Sequence, residues 1–450
     1  MSRPFMAIGI LTKFLAVIKN FSGKGDGALL ARQARQAFLV NVVGTGVAFF
    51  LQVILARLLG AESFGQYVYA VTFLSFFILV GKLGLDTAAL RLIPEYSATQ
   101  KWDLARGFIR RSKQLAMTAS TGIAAISAIA VVILDGQIDD TLATIFLITC
   151  ALLPVNVYLV LQGSLLQAFR HLVISQLLQV VIRPVLLIAT LSVATGILNM
   201  PSRPEVAITL NLLTTLVTVA LAGIVTHRVL PLNLFLNSPV YRSTTWVKIA
   251  FPMLLITSFN LVLNQADVLM VGAYLGTTDA GIYSAVNRIS LLVAFAITVI
   301  NSIMAPMISQ LYVEGRVLQL QRMVRYAVWG SLIISSPLFL AIVIWAKPIL
   351  ALFGTEFSSG ALALVILAVA RMVNALSAPA GYLMSMSGHH VEAAYILGGS
   401  AILNILLNAV LIPLYQLEGA AIASLVTTTL WSGIMVVYVK KKIGVTATLS

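Results

Sequence analysis

Two arginines interrupt long apolar runs of this sequence. Arg183 has no acidic residue nearby in sequence and is followed by Pro184, which should kink a helix there; Arg371 is followed by Asn374 and Pro379. A guanidinium stays charged and can bind a phosphate through two parallel N–H donors. The alternative is that each arginine pairs with backbone carbonyls or acids elsewhere in the chain. Arg183 and Arg371, with Asn374, are therefore candidate anion-binding residues.

Lys82 and Asp86 are four residues apart, so in a helix their side chains lie on one face. Two interpretations stay open for them. They form a structural ion pair, or they belong to a site at the mouth of a cavity, where Lys82 would contact an anion and Asp86 a coupling ion.

Asp267 and Arg288 lie at similar distances from a turn predicted around 277–279, on the two helices that this turn would join. We predict that they face each other at one depth. Either they neutralise each other, or Asp267 binds and releases a coupling H⁺ or Na⁺ while Arg288 senses its charge or contacts substrate. Asn260 and Asn264 precede Asp267 by two turns and one turn, which makes Asn264 a further candidate on that face.

The elements that position these residues are set by composition. The chain has 450 residues, of which 60% are hydrophobic and only 10% are charged, so its solvent must be lipid. Its 29 Lys and Arg give a net charge of +14, but they fall between apolar runs, which excludes nucleic acid as a partner. The single Cys150 and four His show no metal-ligand spacing. No nucleotide-binding loop, metalloprotease helix or esterase motif is present, so we expect neither a catalytic site nor a cofactor.

A span needs about 20 apolar residues. We predict an all-α membrane protein of twelve spans in two sets of six, at 38–58, 67–87, 115–134, 142–166, 173–195 and 206–226, then 249–272, 282–304, 327–346, 361–386, 394–413 and 419–439.

The loops fix a predicted orientation. Lys and Arg concentrate in loops on one side, such as 101–113 and 440–442, whereas the other side holds only Arg57, Arg203 and Lys347. Basic loops resist translocation, so both termini are expected to be cytoplasmic.

These features divide the chain into five predicted segments. Residues 1–37 form an N-terminal cytoplasmic segment with an amphipathic interfacial helix over 1–21, for which a disordered tail is the alternative. The others are an N-lobe of six spans, an inter-lobe linker, a C-lobe of six spans and a basic cytoplasmic tail, at 38–228, 229–248, 249–439 and 440–450.

A repeated hairpin relates the two lobes. The stretch LLGAESFGQYVYAV (58–71) matches YLGTTDAGIYSAVN (274–287) at a constant offset of 216 residues, so that Gly60 pairs with Gly276 and Tyr67 with Tyr283. Six spans per lobe give both lobes the same orientation, related by a pseudo-two-fold axis along the membrane normal.

These hairpins, together with NILLNAVLIPLYQLEGAAIAS near the C-terminus, resemble the polysaccharide biosynthesis (oligosaccharide flippase) branch of the multidrug/oligosaccharidyl-lipid/polysaccharide exporter superfamily. The resemblance covers about 38–440. It implies a V of two six-helix lobes around a central cavity. It also implies a polyprenyl-pyrophosphate-linked oligosaccharide as substrate, turned from the cytoplasmic to the outer leaflet.

Three functions are weighed against these features. A flippase for O-antigen, capsule or exopolysaccharide assembly fits a basic interior, in which Arg183 and Arg371 would clamp the pyrophosphate by one arginine from each lobe. An ion-coupled multidrug or cation antiporter of the same superfamily would need acidic residues facing the cavity. A membrane-embedded polymerase or ligase would need a long outer loop, which the chain lacks.

The flippase hypothesis carries expectations about surroundings. We expect a multi-pass protein of a bacterial-type inner (plasma) membrane that contacts membrane lipids and works with polysaccharide polymerase or glycosyltransferase machinery. It would be a transporter and not an enzyme.

Overall fold

The computed structural model describes residues 26–134, 136–137, 139–231, 234 and 238–446. Side chains are described within these ranges except at 26–35, 37–38, 295–307 and 309–310. The predicted interfacial helix over 1–21 lies outside the described residues. Within them every regular element is a helix, as the apolar runs predict.

The chain divides into two compact units. The N-unit is Gln33–Leu261, and the C-unit comprises Val262 to the end of the described chain together with residues 26–32. The division falls inside one helix, within the predicted seventh span and beyond the predicted linker. The lobe boundaries at 228 and 249 stay predictions about membrane topology.

The N-unit contains most of the first α-helix, six whole α-helices and the first part of an eighth. In chain order they are α1 (Asp26–Gly81), α2 (Leu85–Ala98), α3 (Trp102–Ile133), α4 (Asp140–Ala168), α5 (Leu172–Gln176), α6 (Arg183–Gly196), α7 (Pro204–Val229) and α8 (Ser243–Leu275). A π-helical segment, Leu177–Ile182, joins α5 to α6.

The C-unit continues from the second half of α8. It contains α9 (Thr277–Val313), α10 (Val317–Ala351), a 3₁₀ turn (Thr355–Gly360), α11 (Ala361–Met386) and α12 (His390–Lys442).

Among the described residues, nine helices are long and apolar enough to cross a membrane. Two of them run through a break: α1 at Gly60 and α12 at Gln416, where the backbone leaves the helical region with φ of 73° and 53°. Each of these two helices therefore supplies two of the predicted spans, and α9 is a further long helix. The helices are consistent with twelve crossings.

The glycine pair of the repeat occupies equivalent turns. Gly60 and Gly276 both have positive φ, of 73° and 102°, a conformation that costs glycine little because it has no Cβ. Tyr67 and Tyr283, which follow at the same spacing, are both buried. The repeated hairpin is therefore present in both units.

The predicted fifth span is built in three pieces, α5, the π-helical segment and α6. Pro184 has no N–H to donate, and its ring would clash with the carbonyl of residue 180 in a regular α-helix. A π-helical stretch at Leu177–Ile182 absorbs this mismatch by widening the turn just before Arg183. The Arg-Pro pair thus starts a new helix, α6, with Arg183 at its first position.

The described end of the segment before α8, together with the first turn of α8 (residues 238–246), packs against other helices of the N-unit. The Val240 N–H donates to the Asp103 carbonyl at 3.1 Å. Trp246, only 2% exposed, packs edge-on against Phe108 with 5.4 Å between ring centroids and donates to the Tyr96 hydroxyl at 3.0 Å. The start of α8 is therefore fixed against α2 and α3.

Gly107 makes this docking possible, and its replacement tests it. A Cβ at this position would lie 1.8 Å from the Val240 carbonyl oxygen. We expect Gly107→Ala to lower the unfolding free energy by about 2 kcal/mol, because either backbone must move. Thermal unfolding of the purified protein measures the change. Gly122→Ala on the same helix is the matched control, since nothing lies within 4 Å of that Cβ; an equal loss in both variants would contradict the docking.

The predicted basic tail is partly packed. Lys440–Lys442 end α12 and are exposed, but Ile443 and Val445 are buried in the core of the C-unit. The Gln321 side chain pairs with the backbone of Thr446 at 2.6 and 2.8 Å. The remainder, 447–450, lies outside the described residues.

Candidate functional site

The N-unit places Arg183 in a chain of neutral hydrogen bonds. Its Nη2 donates to Asn211 Oδ1 at 3.1 Å, and Asn211 Nδ2 donates to the Tyr67 hydroxyl at 2.9 Å. The Thr215 hydroxyl donates to the Asn211 carbonyl oxygen at 2.6 Å. Three helices, α1, α6 and α7, therefore fix the orientation of the guanidinium.

The charge of Arg183 has no acidic partner among the described residues. Its hydrogen-bond acceptor is an amide, and the ion pairs of the described chain lie elsewhere, at Lys82–Asp86 and Glu314–Arg316. A half-buried cation held only by neutral dipoles is costly, and a bound anion would compensate that cost.

The polar cluster of the C-unit contains a carboxylate, whereas the cluster around Arg183 in the N-unit contains none. Asp267 is 6% exposed and accepts hydrogen bonds from Asn408 Nδ2 at 2.7 Å, from the Tyr283 hydroxyl at 3.0 Å and from the Ser424 hydroxyl. Asn408 Nδ2 also donates to Asn404 Oδ1 at 3.1 Å. We call this set of five residues the Asp267 network.

The C-unit also holds a cation within a predicted span, Arg371, whose charge interacts with Asp267. Its Nη2 donates to Asn287 Oδ1 at 2.9 Å, and its Nε reaches the Ser290 hydroxyl at 3.5 Å. Asn287 lies one helical turn after Tyr283, and Arg371 interacts electrostatically with both Asp267 and Tyr283. Arg371, unlike Arg183, therefore has an acid in its electrostatic environment.

The predicted pairing of Asp267 with Arg288 is wrong. Tyr283 is the residue of α9 that meets Asp267, and Arg288 is exposed. The two positions are five residues apart, which places them about 140° apart around a helix. Equal distance from the hairpin turn fixed the depth but not the face.

The other predicted polar positions are placed as follows. Asn260 and Asn264 are exposed, and the Asn264 carbonyl accepts from Asn287 Nδ2 at 3.1 Å. Their place beside Asp267 in ion binding stays a prediction. Asn374 is half-buried, one turn after Arg371 on α11.

Lys82 and Asp86 form an ion pair across the turn between α1 and α2. Lys82 Nζ lies 2.6 Å from Asp86 Oδ2, and the two side chains are 14% and 11% exposed. The second carboxylate oxygen, Oδ1, is buried without a hydrogen-bond partner in the described chain. The structural interpretation of this pair therefore has a geometric basis, and its binding role stays a prediction.

Several site residues were not predicted to have a functional role. From the sequence alone, Asn211, Asn404 and Asn408 are interpreted as ordinary interhelical hydrogen-bond partners. No motif or spacing indicates a role for Ser424 or Asn287. The repeat offered a clue, because Tyr67 and Tyr283 are equivalent and each centres its unit's polar cluster. At the same offset of 216, Asp267 corresponds to Leu51, so the two clusters differ in charge.

The described residues contain no group of three or more His, Cys, Asp or Glu able to hold a metal ion. The polar clusters consist of arginines, amides, hydroxyls and one acid, which suit binding and ion exchange.

Several solved transporter structures have a similar fold. An inward-facing multidrug resistance MATE family transporter of the MOP superfamily matches with a TM-score of 0.72 and 13% identity, over 90% of this chain and 98% of that one. A MOP superfamily transporter from Pyrococcus furiosus, whose binding pocket is described as having reverse polarity, matches with a TM-score of 0.63 and 15% identity, over 92% and 95%. At these identities the similarity shows the fold alone.

Two curated relatives come from Haloferax volcanii. The probable low-salt glycan biosynthesis flippase Agl15 is 24% identical over 159 residues, 35% of this chain and 34% of its own length. The probable flippase AglR is 30% identical over 181 residues, 37% of this chain and 36% of its own length. The alignments span about a third of these relatives.

Family models cover more of the chain. The MatE model matches residues 249–410, and the model described as "Polysaccharide biosynthesis protein" matches residues 30–312, more than half of the sequence. The resemblance of the hairpin motifs is thereby confirmed. This chain is a multi-pass membrane protein that belongs to the polysaccharide biosynthesis protein family of the multidrug/oligosaccharidyl-lipid/polysaccharide exporter superfamily.

Proposed function

We propose that this protein is a flippase that moves a polyprenyl-pyrophosphate-linked oligosaccharide from the cytoplasmic to the outer leaflet by alternating access. The observation that carries the proposal is Arg183, a cation held at span depth by Asn211 with no acidic partner among the described residues. A pyrophosphate offers the charge and the oxygens that such a guanidinium binds best.

The charge difference between the units supports an anionic substrate. In the N-unit, Arg183 has no acidic partner among the described residues, and the repeat pairs Leu51 of this unit with Asp267 of the C-unit. In the C-unit, Arg288 adds an exposed cation about a third of the way along α9, and a charge at span depth is costly in lipid. We propose that Arg288 and Arg371 also contact the anionic head group. The clamp of Arg183 with Arg371 stays a prediction.

Asp267 is proposed as the site of coupling to H⁺ or Na⁺. Its two oxygens accept from three neutral donors, and the surrounding amide and hydroxyl oxygens are hard ligands of the kind that small cations prefer. Taking up H⁺ or Na⁺ would neutralise the carboxylate beside Arg371 and so change the electrostatic environment of that cation.

A cation or drug antiporter is the second candidate, because the MatE model matches part of the chain and one structural neighbour is a multidrug resistance MATE family transporter. Asp267 is the observation that favours it. Against it, Asp267 is buried and already hydrogen-bonded, so it offers little to an organic cation. The relatives are flippases and transporters, and an enzymatic polymerase or ligase role is not proposed.

Transport in proteoliposomes tests the proposal. Purified protein would be reconstituted with a fluorescent polyprenyl-pyrophosphate oligosaccharide, and the fraction reachable by a membrane-impermeant quencher would be followed with time. We expect protein-dependent flipping, with no gradient-driven uptake of ethidium in parallel vesicles. Ethidium transport without flipping would favour the antiporter and contradict the flippase proposal.

The proposed setting is a bacterial-type plasma membrane, with both termini cytoplasmic and with glycosyltransferases and a polymerase acting before and after the flipping step. The concentration of basic residues in alternate loops supports this orientation.

A further inference from the structure

A groove between α3 and α8 in the N-unit lies apart from the clusters described above. Its volume is about 370 Å³, and it is lined by Leu115 of α3 and by Ser243, Thr244, Val247 and Lys248 of α8. It is open to the surroundings, and the wall it exposes is apolar. This volume would hold about a dozen water molecules, or a stretch of hydrocarbon chain.

Two cations flank this apolar groove. Arg111 lies one turn before Leu115 on α3, and its Nε donates to the Ser243 hydroxyl at 3.1 Å while its Nη1 reaches Gln114 Oε1 at 3.5 Å. Two of its five N–H groups are used in this way, and the contact with Ser243 holds the guanidinium at the rim. Lys248 lines the groove from the other helix.

Polarity changes along the groove in one direction. The end of the N-unit at which α3 and α8 begin is strongly basic, and we call it the basic end. Lys101 and Arg242 lie in its loops, and the first three turns of α3 hold Arg106 and Arg110 against one acid, Asp103. Moving away from it, Arg111 gives way to Leu115 on α3, and Ser243 gives way to Val247 and the exposed Phe251 on α8. Lys248 follows Val247, but a helical side chain leans back toward the N-terminus of its helix, which here is the basic end. This order, charge first and carbon after, matches a phospholipid and not a free phosphate.

The groove is preformed. Gly107 lets α3 approach the Val240 backbone, and Trp246 is buried against Phe108 and Tyr96, so the first turns of α8 are fixed beside α3. Binding therefore requires little ordering of the protein.

We infer that this groove binds an anionic membrane phospholipid of the leaflet at the basic end, with its phosphate between Arg111 and Lys248 and one chain along Leu115 and Val247. Neither flanking charge is paired with an acid in the described chain, so a lipid of net negative charge complements both. A zwitterionic lipid would bring its own cation to a site that already holds two. The inference does not depend on the transported substrate.

Photo-crosslinking tests this assignment on the full chain in nanodiscs. The probe is phosphatidylglycerol with a diazirine near the middle of one chain, and phosphatidylcholine with the same diazirine is the lipid control. We expect labelling of peptides that contain Leu115 or Val247, and stronger labelling by phosphatidylglycerol. Equal labelling by both lipids, or no labelling of either peptide, would overturn the inference.

Three variants sharpen the test. Arg111→Gln with Lys248→Gln should lower labelling at the groove by about 30-fold, since each of the two cations near an anionic surface contributes about 1 kcal/mol. Arg91→Gln with Lys101→Gln removes two exposed cations near the same end and should leave the labelling within about twofold. Val247→Trp fills the groove at a position already 46% exposed, so it should block the chain while retaining both charges.

The pattern across these variants decides between occupants. Equal loss in the two double variants would indicate only a general attraction to the basic end, and it would overturn a specific site. Displacement of the probe by an equimolar polyprenyl pyrophosphate would assign the groove to the transported head group and would overturn the phospholipid assignment.

Discussion

Replacing Arg183 by alanine is expected to lower the flipping rate by about 10- to 100-fold, the effect of losing one charge-assisted interaction with a phosphate. Its guanidinium is oriented by Asn211 and Tyr67 and has no carboxylate partner in the described chain, so its charge is available to a ligand. The fluorescent flipping assay measures the rate, and protein yield in the membrane verifies insertion.

Conservative variants separate charge from geometry at this site. Arg183→Lys keeps the charge but loses the planar fork, and we expect an intermediate rate. Asn211→Ala removes the acceptor that orients the guanidinium and leaves the cation in place, so it should cost less than Arg183→Ala. Arg203→Ala, an exposed arginine just before α7, is the matched control. Wild-type flipping by correctly inserted Arg183→Ala would refute the anion-binding role.

Asp267→Asn is expected to remove the dependence of flipping on a pH or Na⁺ gradient. The amide retains the shape of the carboxyl group and one acceptor oxygen, but it can neither carry the negative charge nor take up a proton. Gradients of H⁺ alone and of Na⁺ alone would be applied across the proteoliposomes, and initial rates would be compared with those of the wild type. The ion whose effect disappears is the coupling ion.

Two further variants guard this interpretation. Tyr283→Phe removes one donor to Asp267 and leaves the carboxyl group, so the gradient dependence should persist. Asp279→Asn changes an acid near the start of α9, outside the Asp267 network, and should leave coupling intact. An unchanged gradient response in Asp267→Asn would exclude this residue from coupling.

The repeat and the apolar runs determined much of the fold. Twelve apolar stretches need lipid as their solvent, and a glycine at the same place in both hairpins predicts a turn that only a positive φ completes comfortably. Gly60 and Gly276 have that conformation, and Tyr67 and Tyr283 both point inward as their equivalence suggests. Arg183 and Arg371 were also identifiable, because a charge within an apolar run is costly in lipid and therefore needs a partner or a function.

The tertiary structure alone decided which side chains meet. Helical periodicity assigns residues to a face of their own helix, but nothing local states which other helix that face will contact. Asp267 was therefore matched with Arg288, at the right depth on the wrong face, whereas packing brings it to Tyr283, Asn408 and Ser424, up to 157 residues away. Arg183 likewise depends on Asn211 of another helix, and the Arg111–Lys248 groove lies where Gly107 lets a distant backbone pack closely. The sequence determined which charges had to be accommodated in an apolar interior, and the long-range packing of helices determined how each of them is accommodated.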